Sequence, residues 1–221
     1  MKSHFFHIFA LGLVVSLATS CGNGDADYGA LEDFRLDIVT YKNFSEAIAY
    51  FQYVDRSGEI TELEARGIAE PDIEKDHRVL MRYKVMDEQA GHSLIGIYGI
   101  TGIISDSLRV NKLPLEEYEM HELRLRSIWQ TGEFINLRCQ VEYTGEARSF
   151  YLMMDDATRD NEVVDCYLVH DLKGQKPLHW RDCYASFNVG VLLKRTTCRA
   201  LRVHLTDVVR PDVSEYVFSM R

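Results

Sequence analysis

Residues 94–104 read LIGIYGITGII, and their glycines decide how the first half of the chain is read. Apolar, β-branched residues over this length predict a strand. Gly96, Gly99 and Gly102 recur at every third position, and no Walker-type lysine follows them, so a phosphate-binding loop is not indicated. Glycines inside an apolar strand mark bends or bulges, where a sheet curls back on itself. Working towards the N-terminus, RVLMRYKV (78–85) places Val79, Met81, Tyr83 and Val85 on one side and Arg78, Arg82 and Lys84 on the other. AIAYFQYVD (47–55) is rich in aromatics, DRSG (55–58) turns the chain, and EITELEA follows. FRLDIVTY (34–41) alternates Phe34, Leu36 and Ile38 against Arg35 and Asp37, as in a sheet with one wet face. About five strands without an intervening amphipathic helix predict a small closed barrel, because closure removes exposed edges.

Working towards the C-terminus, RVNKLPLEEYEMHE (109–122) breaks the apolar pattern with Pro114 and a charged run, and reads as a linker. Strand-like segments resume with ELRLRSIW (122–129), FINLRCQVEY (134–143), RSFYLMM (148–154) and VVDCYLVH (163–170). YASFNVGVLL (184–193), ALRVHL (200–205) and SEYVFSM (214–220) complete the series, with Leu192, Leu193 and the charges following them an alternative start for a short helix. Polar turns such as DDATRDNE and DLKGQKP separate them, which predicts two packed antiparallel sheets. A sandwich of about seven strands fits an immunoglobulin-like topology. The expected organisation is all-β, with a barrel over 33–113 and a β-sandwich over 116–221. One continuous sandwich is the alternative.

Ahead of the barrel the chain begins MKSHFFHIFALGLVVSLATSCGNGD. Lys2 and the apolar run over 5–18 form an export segment, shorter than the roughly 20 apolar residues that cross a bilayer. Ala18-Thr19-Ser20-Cys21 resembles a relaxed lipoprotein processing site. That resemblance implies removal of residues 1–20 and lipidation of Cys21, leaving 21–32 as a polar tether. Two or three acyl chains hold a membrane stably where one does so marginally. The expected location is the outer membrane, with the periplasmic and surface-facing sides both open. A signal-anchor with an incidental cysteine is the alternative.

The formal net charge is −9 with 46% hydrophobic residues, so the body is globular and acidic. That balance argues against nucleic-acid binding and against electrostatic adhesion to an anionic bilayer. Cys139, Cys166, Cys183 and Cys198 all fall in the second half and permit two disulfides in an exported chain, with three connectivities open. Cys139 is in phase with Leu137 and Val141, and Cys183 with Ala185, Phe187 and Val189, so both are expected to point inward. Buried free thiols are the ordinary alternative.

The order of these features resembles the NigD-like lipoproteins of Bacteroides-type bacteria. The resemblance rests on Cys21, Asp33-Phe34-Arg35-Leu36-Asp37-Ile38, the Asp55–Gly58 turn and Lys75-Asp76-His77-Arg78-Val79-Leu80. It continues through Ile103-Ile104, Arg124-Leu125-Arg126-Ser127-Ile128-Trp129, Ala185-Ser186-Phe187-Asn188 and Leu201-Arg202-Val203. It implies an N-terminal OB-like barrel, a C-terminal β-sandwich and an association with bacteriocin immunity. It implies no catalytic or binding residues, and the four cysteines depart from its pattern.

Chemistry-bearing patterns are sparse. GxSxG and HExxH are absent from the sequence. Asp155, Asp156, Asp160 and Glu162 around Thr158 offer carboxylates to a hard cation but lack EF-hand order, and such turns are usually only solvated. His170, His179 and His204 have no metal-ligand spacing, so no metal or cofactor is expected. Tyr50, Phe51, Tyr53, Tyr83 and Tyr98 could stack bases, yet no Lys/Arg cluster accompanies them; barrel packing is the ordinary account. Asp106-Ser107-Leu108 resembles a short O-glycosylation acceptor, making Ser107 a candidate. The favoured function is a non-enzymatic, membrane-anchored envelope protein with a bacteriocin-immunity or binding role and a protein or glycan ligand. The alternatives are a carbohydrate- or peptide-binding accessory lipoprotein, marked by exposed aromatics converging on one face, and an envelope hydrolase with an unrecognised site.

Overall fold

The computed structural model describes residues 33–145 and 148–220. The export segment, Cys21 and the tether lie outside the described residues. Among the described residues, no helix is long and apolar enough to cross a membrane.

Five strands close the N-terminal barrel: β1 (Phe34–Ser45), β2 (Ile48–Val54), β3 (Ile60–Arg66), β4 (Arg78–Gln89) and β5 (His92–Gly102). Their order is β1-β2-β3-β5-β4, with β4 pairing back to β1, an OB-like closure. Only the β3–β5 contact within it is parallel. Val79, Met81 and Tyr83 point into the barrel core with Phe51, Leu63 and Ile95, and Val85 packs beside them. The period-two reading of β4 therefore holds on its apolar side. β1 departs from expectation. Its core residues are Val39 and Tyr41, while Leu36 is 55% exposed. Ile38 and Thr40 are also buried, so consecutive residues 38–41 are all covered. The strand is wet at its start and shielded on both faces further along, because the rest of the chain packs against its outer side.

The glycine-bearing run behaves as a bulged strand that then leaves the barrel. Arg82 pairs with Gly99 but Tyr83 pairs with Ile97, leaving Tyr98 as an extra residue on β5. A second shift leaves Met86 extra on β4. Such bulges bend and twist a strand pair, which helps a five-stranded sheet to close. β5 ends at Gly102, and Ile103 carries the chain out.

Beyond it lie β6 (Ile104–Ser107), β7 (Arg109–Val110), β8 (Leu123–Thr131), β9 (Phe134–Tyr143) and β10 (Ser149–Met154). β11 (Val163–Asp171), β12 (His179–Asn188), β13 (Ala200–His204) and β14 (Glu215–Ser219) follow, with a short helix α1 (Gly190–Leu193). They make two sheets, β6-β12-β9-β8 and β14-β13-β11-β10-β7. β6 runs parallel to β12, and β7 parallel to β10. The pairing thus passes out of the barrel at Ile103, ahead of Pro114, which stands before a 3-10 turn over Leu115–Glu117. Leu137 and Phe187 of one sheet and Leu152, Val164 and Leu201 of the other belong to a single core. Cys139, Cys166, Cys183 and Cys198 lie in that core as buried thiols, and Cys139 stands directly opposite Cys183.

Barrel and two-sheet region belong to one compact unit. Gly132, in the β8–β9 turn, has φ of 53° and would bring a Cβ to 3.0 Å from Val54 of the barrel. Both the left-handed backbone and the close approach favour glycine there.

Candidate functional site

Arg78 opens β4, next to the inward-pointing Val79, so its side chain leaves the barrel on the outer face. The β9–β12 sheet lies over this face, as it does over the neighbouring Thr40 of β1, and Arg78 is 1% exposed. Its Nε donates to Ser186 Oγ (3.1 Å), Nη1 to Thr40 Oγ1 (3.1 Å) and Nη2 to Asn136 Oδ1 (3.3 Å). Ser186 Oγ donates to the same Asn136 oxygen (2.8 Å), and Asn136 Nδ2 donates to Thr131 Oγ1 (2.8 Å). The guanidinium also lies 4.1 Å from the Phe134 ring centroid. Ser186 and Asn136 are register partners across β12 and β9, which is why two strands deliver both groups to one spot.

All three acceptors are neutral. Among the described residues Arg78 forms no salt bridge; Glu133 acts on it only at longer range. Burial lowers its pKa to about 10, so it remains a cation at neutral pH. A buried charge without a counter-charge is costly, and a guanidinium has five N–H donors, of which three are used here.

Arg78 lines a cleft of about 390 Å³ between the barrel and β8–β9–β12. Tyr53, Trp129 and Tyr184 supply aromatic walls, and Arg56 and Arg138 add two more cations. Arg138 reaches to 5.6 Å from the Tyr184 ring centroid. Neither Arg56 nor Arg138 forms a salt bridge among the described residues. Asp37 is the carboxylate of this cleft. It accepts a hydrogen bond from the Tyr83 hydroxyl (2.9 Å), and burial holds its pKa above the usual carboxylate range. An acidic chain has here gathered three guanidinium groups beside three rings.

The residues singled out from sequence lie elsewhere. The acidic turn is consumed by its own neighbours. Asp155 caps a 3-10 turn through Ala157 N (3.0 Å), while Asp156 pairs with Arg159 (2.8 Å), Asp160 with Arg195 (2.6 Å) and Glu162 with Arg199 (3.2 Å). His204 binds Asp165 (2.7 Å) and stacks on Tyr167, His179 lies 5.1 Å from Tyr143, and His170 is fully buried beside Phe150. Among the described residues, no three His, Cys, Asp or Glu side chains are grouped to hold a metal ion. Phe51 and Tyr83 fill the barrel, Tyr98 lies outside against Phe34 (4.5 Å), and Tyr53 reaches the cleft. Ser107 is exposed, its N–H bonded to Asp106 Oδ1 (2.8 Å). Arg78 itself escaped the sequence reading, since an arginine alternating with apolar residues reads as a wet-face residue.

No family model matches the sequence, and no curated protein does. Solved structures share its fold. A protein of unknown function from Bacteroides vulgatus superposes with a TM-score of 0.66 at 14% identity, over 84% of this chain and 90% of that one. A NigD-like immunity protein from Bacteroides caccae gives 0.59 at 16% identity, over 84% and 92% of the two chains. A candidate lipoprotein from Bacteroides fragilis gives 0.59 at 12% identity, over 85% and 98%. At these identities the likeness establishes a common architecture for the described body.

Proposed function

We propose that this chain is an exported lipoprotein, anchored through a lipid on Cys21, that binds a ligand in the barrel–sheet cleft without transforming it. The observation that carries this reading is the lining of the cleft. Guanidinium groups and aromatic rings grip a ligand by charge, hydrogen bonds and stacking. The carboxylate there, Asp37, is committed to Tyr83 rather than poised beside a nucleophile.

In this reading the function is of the bacteriocin-immunity type, in keeping with a fold shared with an immunity protein from Bacteroides caccae. The tethered body captures a toxin or covers its receptor by protein–protein contact. The two sheets with their common core fit an immunoglobulin-like sandwich, extended at its edges by β6 and β7. Exposed Ser107 fits an O-glycan acceptor. The convergence of Tyr53, Trp129 and Tyr184 on one cleft favours a second reading, an accessory lipoprotein that binds peptide or glycan.

The test is deletion of the gene followed by challenge with bacteriocins secreted by neighbouring strains. Deletion should increase killing, and the wild-type chain should restore protection. Cys21→Ala should not restore it and should take up no labelled palmitate. Unchanged killing across a broad panel overturns immunity; equal palmitate labelling of Cys21→Ala and wild type overturns the anchor.

A further inference from the structure

The cleft is bounded by open strand edges as well as by charge. β8 is the last strand of its sheet. Its outer edge is occupied only at the start, where Leu123 N donates to Thr206 O (2.9 Å), Val208 N to Leu123 O (3.0 Å) and Leu125 N to Asp207 Oδ1 (3.1 Å). Past Leu125 no strand pairs with that edge among the described residues. Ser127, Ile128 and Trp129 all line the cleft. Side chains of consecutive strand residues point to opposite faces, so a run of three lining residues means that the backbone edge itself faces the cleft. The same holds across from it. Leu36, Asp37 and Ile38 line the barrel wall, and their strand is paired with β4 on one side, whereas pairing with β2 begins only at Thr40.

We propose that this cleft is a receptor for the C-terminal carboxylate of an extended peptide. The rising edge of β8 supplies main-chain hydrogen bonds, as in recognition by strand addition. Arg78 supplies the counter-charge site at the buried end, where its cation lacks a carboxylate partner, and Arg138 stands at the exposed rim. Trp129 and Tyr184 flank the final side chains. A peptide terminus fits better than an acidic sugar because two open strand edges offer donors and acceptors at the repeat of an extended backbone. Asp37 is turned to the Tyr83 hydroxyl, and its single negative charge is outnumbered by the three guanidinium groups of the same cleft. The overall charge of −9 steers cationic peptides towards the body, while the local guanidinium cluster selects their free terminus. This inference rests on the binding reading of the cleft and adds its ligand class.

The test uses the acylated, processed protein in detergent, panned against a random heptapeptide library with free C-termini. Recovered peptides are resynthesised with free and with amidated ends and titrated by tryptophan fluorescence. Loss of a charge-assisted, two-point contact should weaken the amidated forms by roughly tenfold to a hundredfold. Arg138→Gln, an exposed change, should leave thermal unfolding unaltered and shrink the difference between free and amidated peptides. Equal binding of the two forms, a difference untouched by Arg138→Gln, or recovery of no peptide overturns the proposal. Binding of oligogalacturonate, lost in Arg138→Gln, with no binding of peptides would overturn the peptide ligand yet leave the cleft as a binding site.

Discussion

Arg78 Nε donates to Ser186 Oγ across 3.1 Å, joining residues 108 positions apart and tying the first residue of β4 in the barrel to the C-terminal end of β12. Through this contact and its branches to Thr40 and Asn136, one cation serves both as a structural joint and as the floor of the cleft.

Arg78→Met should therefore lower stability by about 2–4 kcal/mol, because buried acceptors on Thr40, Ser186 and Asn136 lose a donor together. Arg56→Met, at an exposed arginine of the same cleft, should stay within about 0.5 kcal/mol of wild type. Urea unfolding of the two variants checks this. Equal effects would show that Arg78 carries no special share of the joint.

His170 makes stability depend on pH. Its ring is buried, Nδ1 lies 3.3 Å from the Glu122 carbonyl, and Nε2 has no partner. Burial lowers its pKa from 6.5 to about 4, with the Arg148 charge adding to the shift. The unfolded chain therefore binds a proton below about pH 6.5 that the folded chain refuses until about pH 4. Stability is intact above that window and falls as pH drops through it, by up to about 3 kcal/mol. His170→Phe should flatten the pH dependence between 6.5 and 4. A variant whose urea midpoint falls as steeply as wild type would refute the assignment.

Cys139 and Cys183 should be the pair that forms a disulfide under oxidation. They are direct cross-strand partners in the core, and contact with Cys183 together with burial pushes the Cys139 thiol up, so native alkylation should be slow. Diamide accepts the two electrons and two protons as the S–S bond forms. Closing that loop should raise stability by about 2–4 kcal/mol. Peptide mapping after oxidation decides it. A dominant bridge through Cys166 or Cys198 would count against the pairing.

Much of the architecture is legible from local pattern. Val79, Met81 and Tyr83 announce the core face of β4, and Leu137, Cys139 and Val141 that of β9, because a strand's side-chain period is two. Leu192-Leu193 and the charges after them suggest a helix that starts there, whereas α1 spans Gly190–Leu193 and ends at that point. β1 shows where this fails: Phe34, Leu36 and Ile38 alternate cleanly, yet Val39 and Tyr41 fill the barrel. Apolar residues on both faces leave the phase ambiguous, and packing chooses it. The run LIGIYGITGII conceals a second ambiguity. It reads as one strand, but the chain changes sheets at Ile103, since an unbroken apolar run carries no mark of which partner each half will meet.

The amino-acid sequence by itself determined the all-β character, the bulge-permitting glycines of the fifth strand, the inward cysteines and the acidic balance, all of which follow from local chemistry and short-range periodicity. Only the tertiary structure decided that Arg78 is buried and that Tyr53, Trp129, Arg138 and Tyr184 share one cleft. Those residues come from four separate strands, and their meeting depends on how the barrel's outer face packs against β9 and β12. That packing minimises exposed apolar area over the whole body, a sum over distant residues that no short stretch of the chain can express.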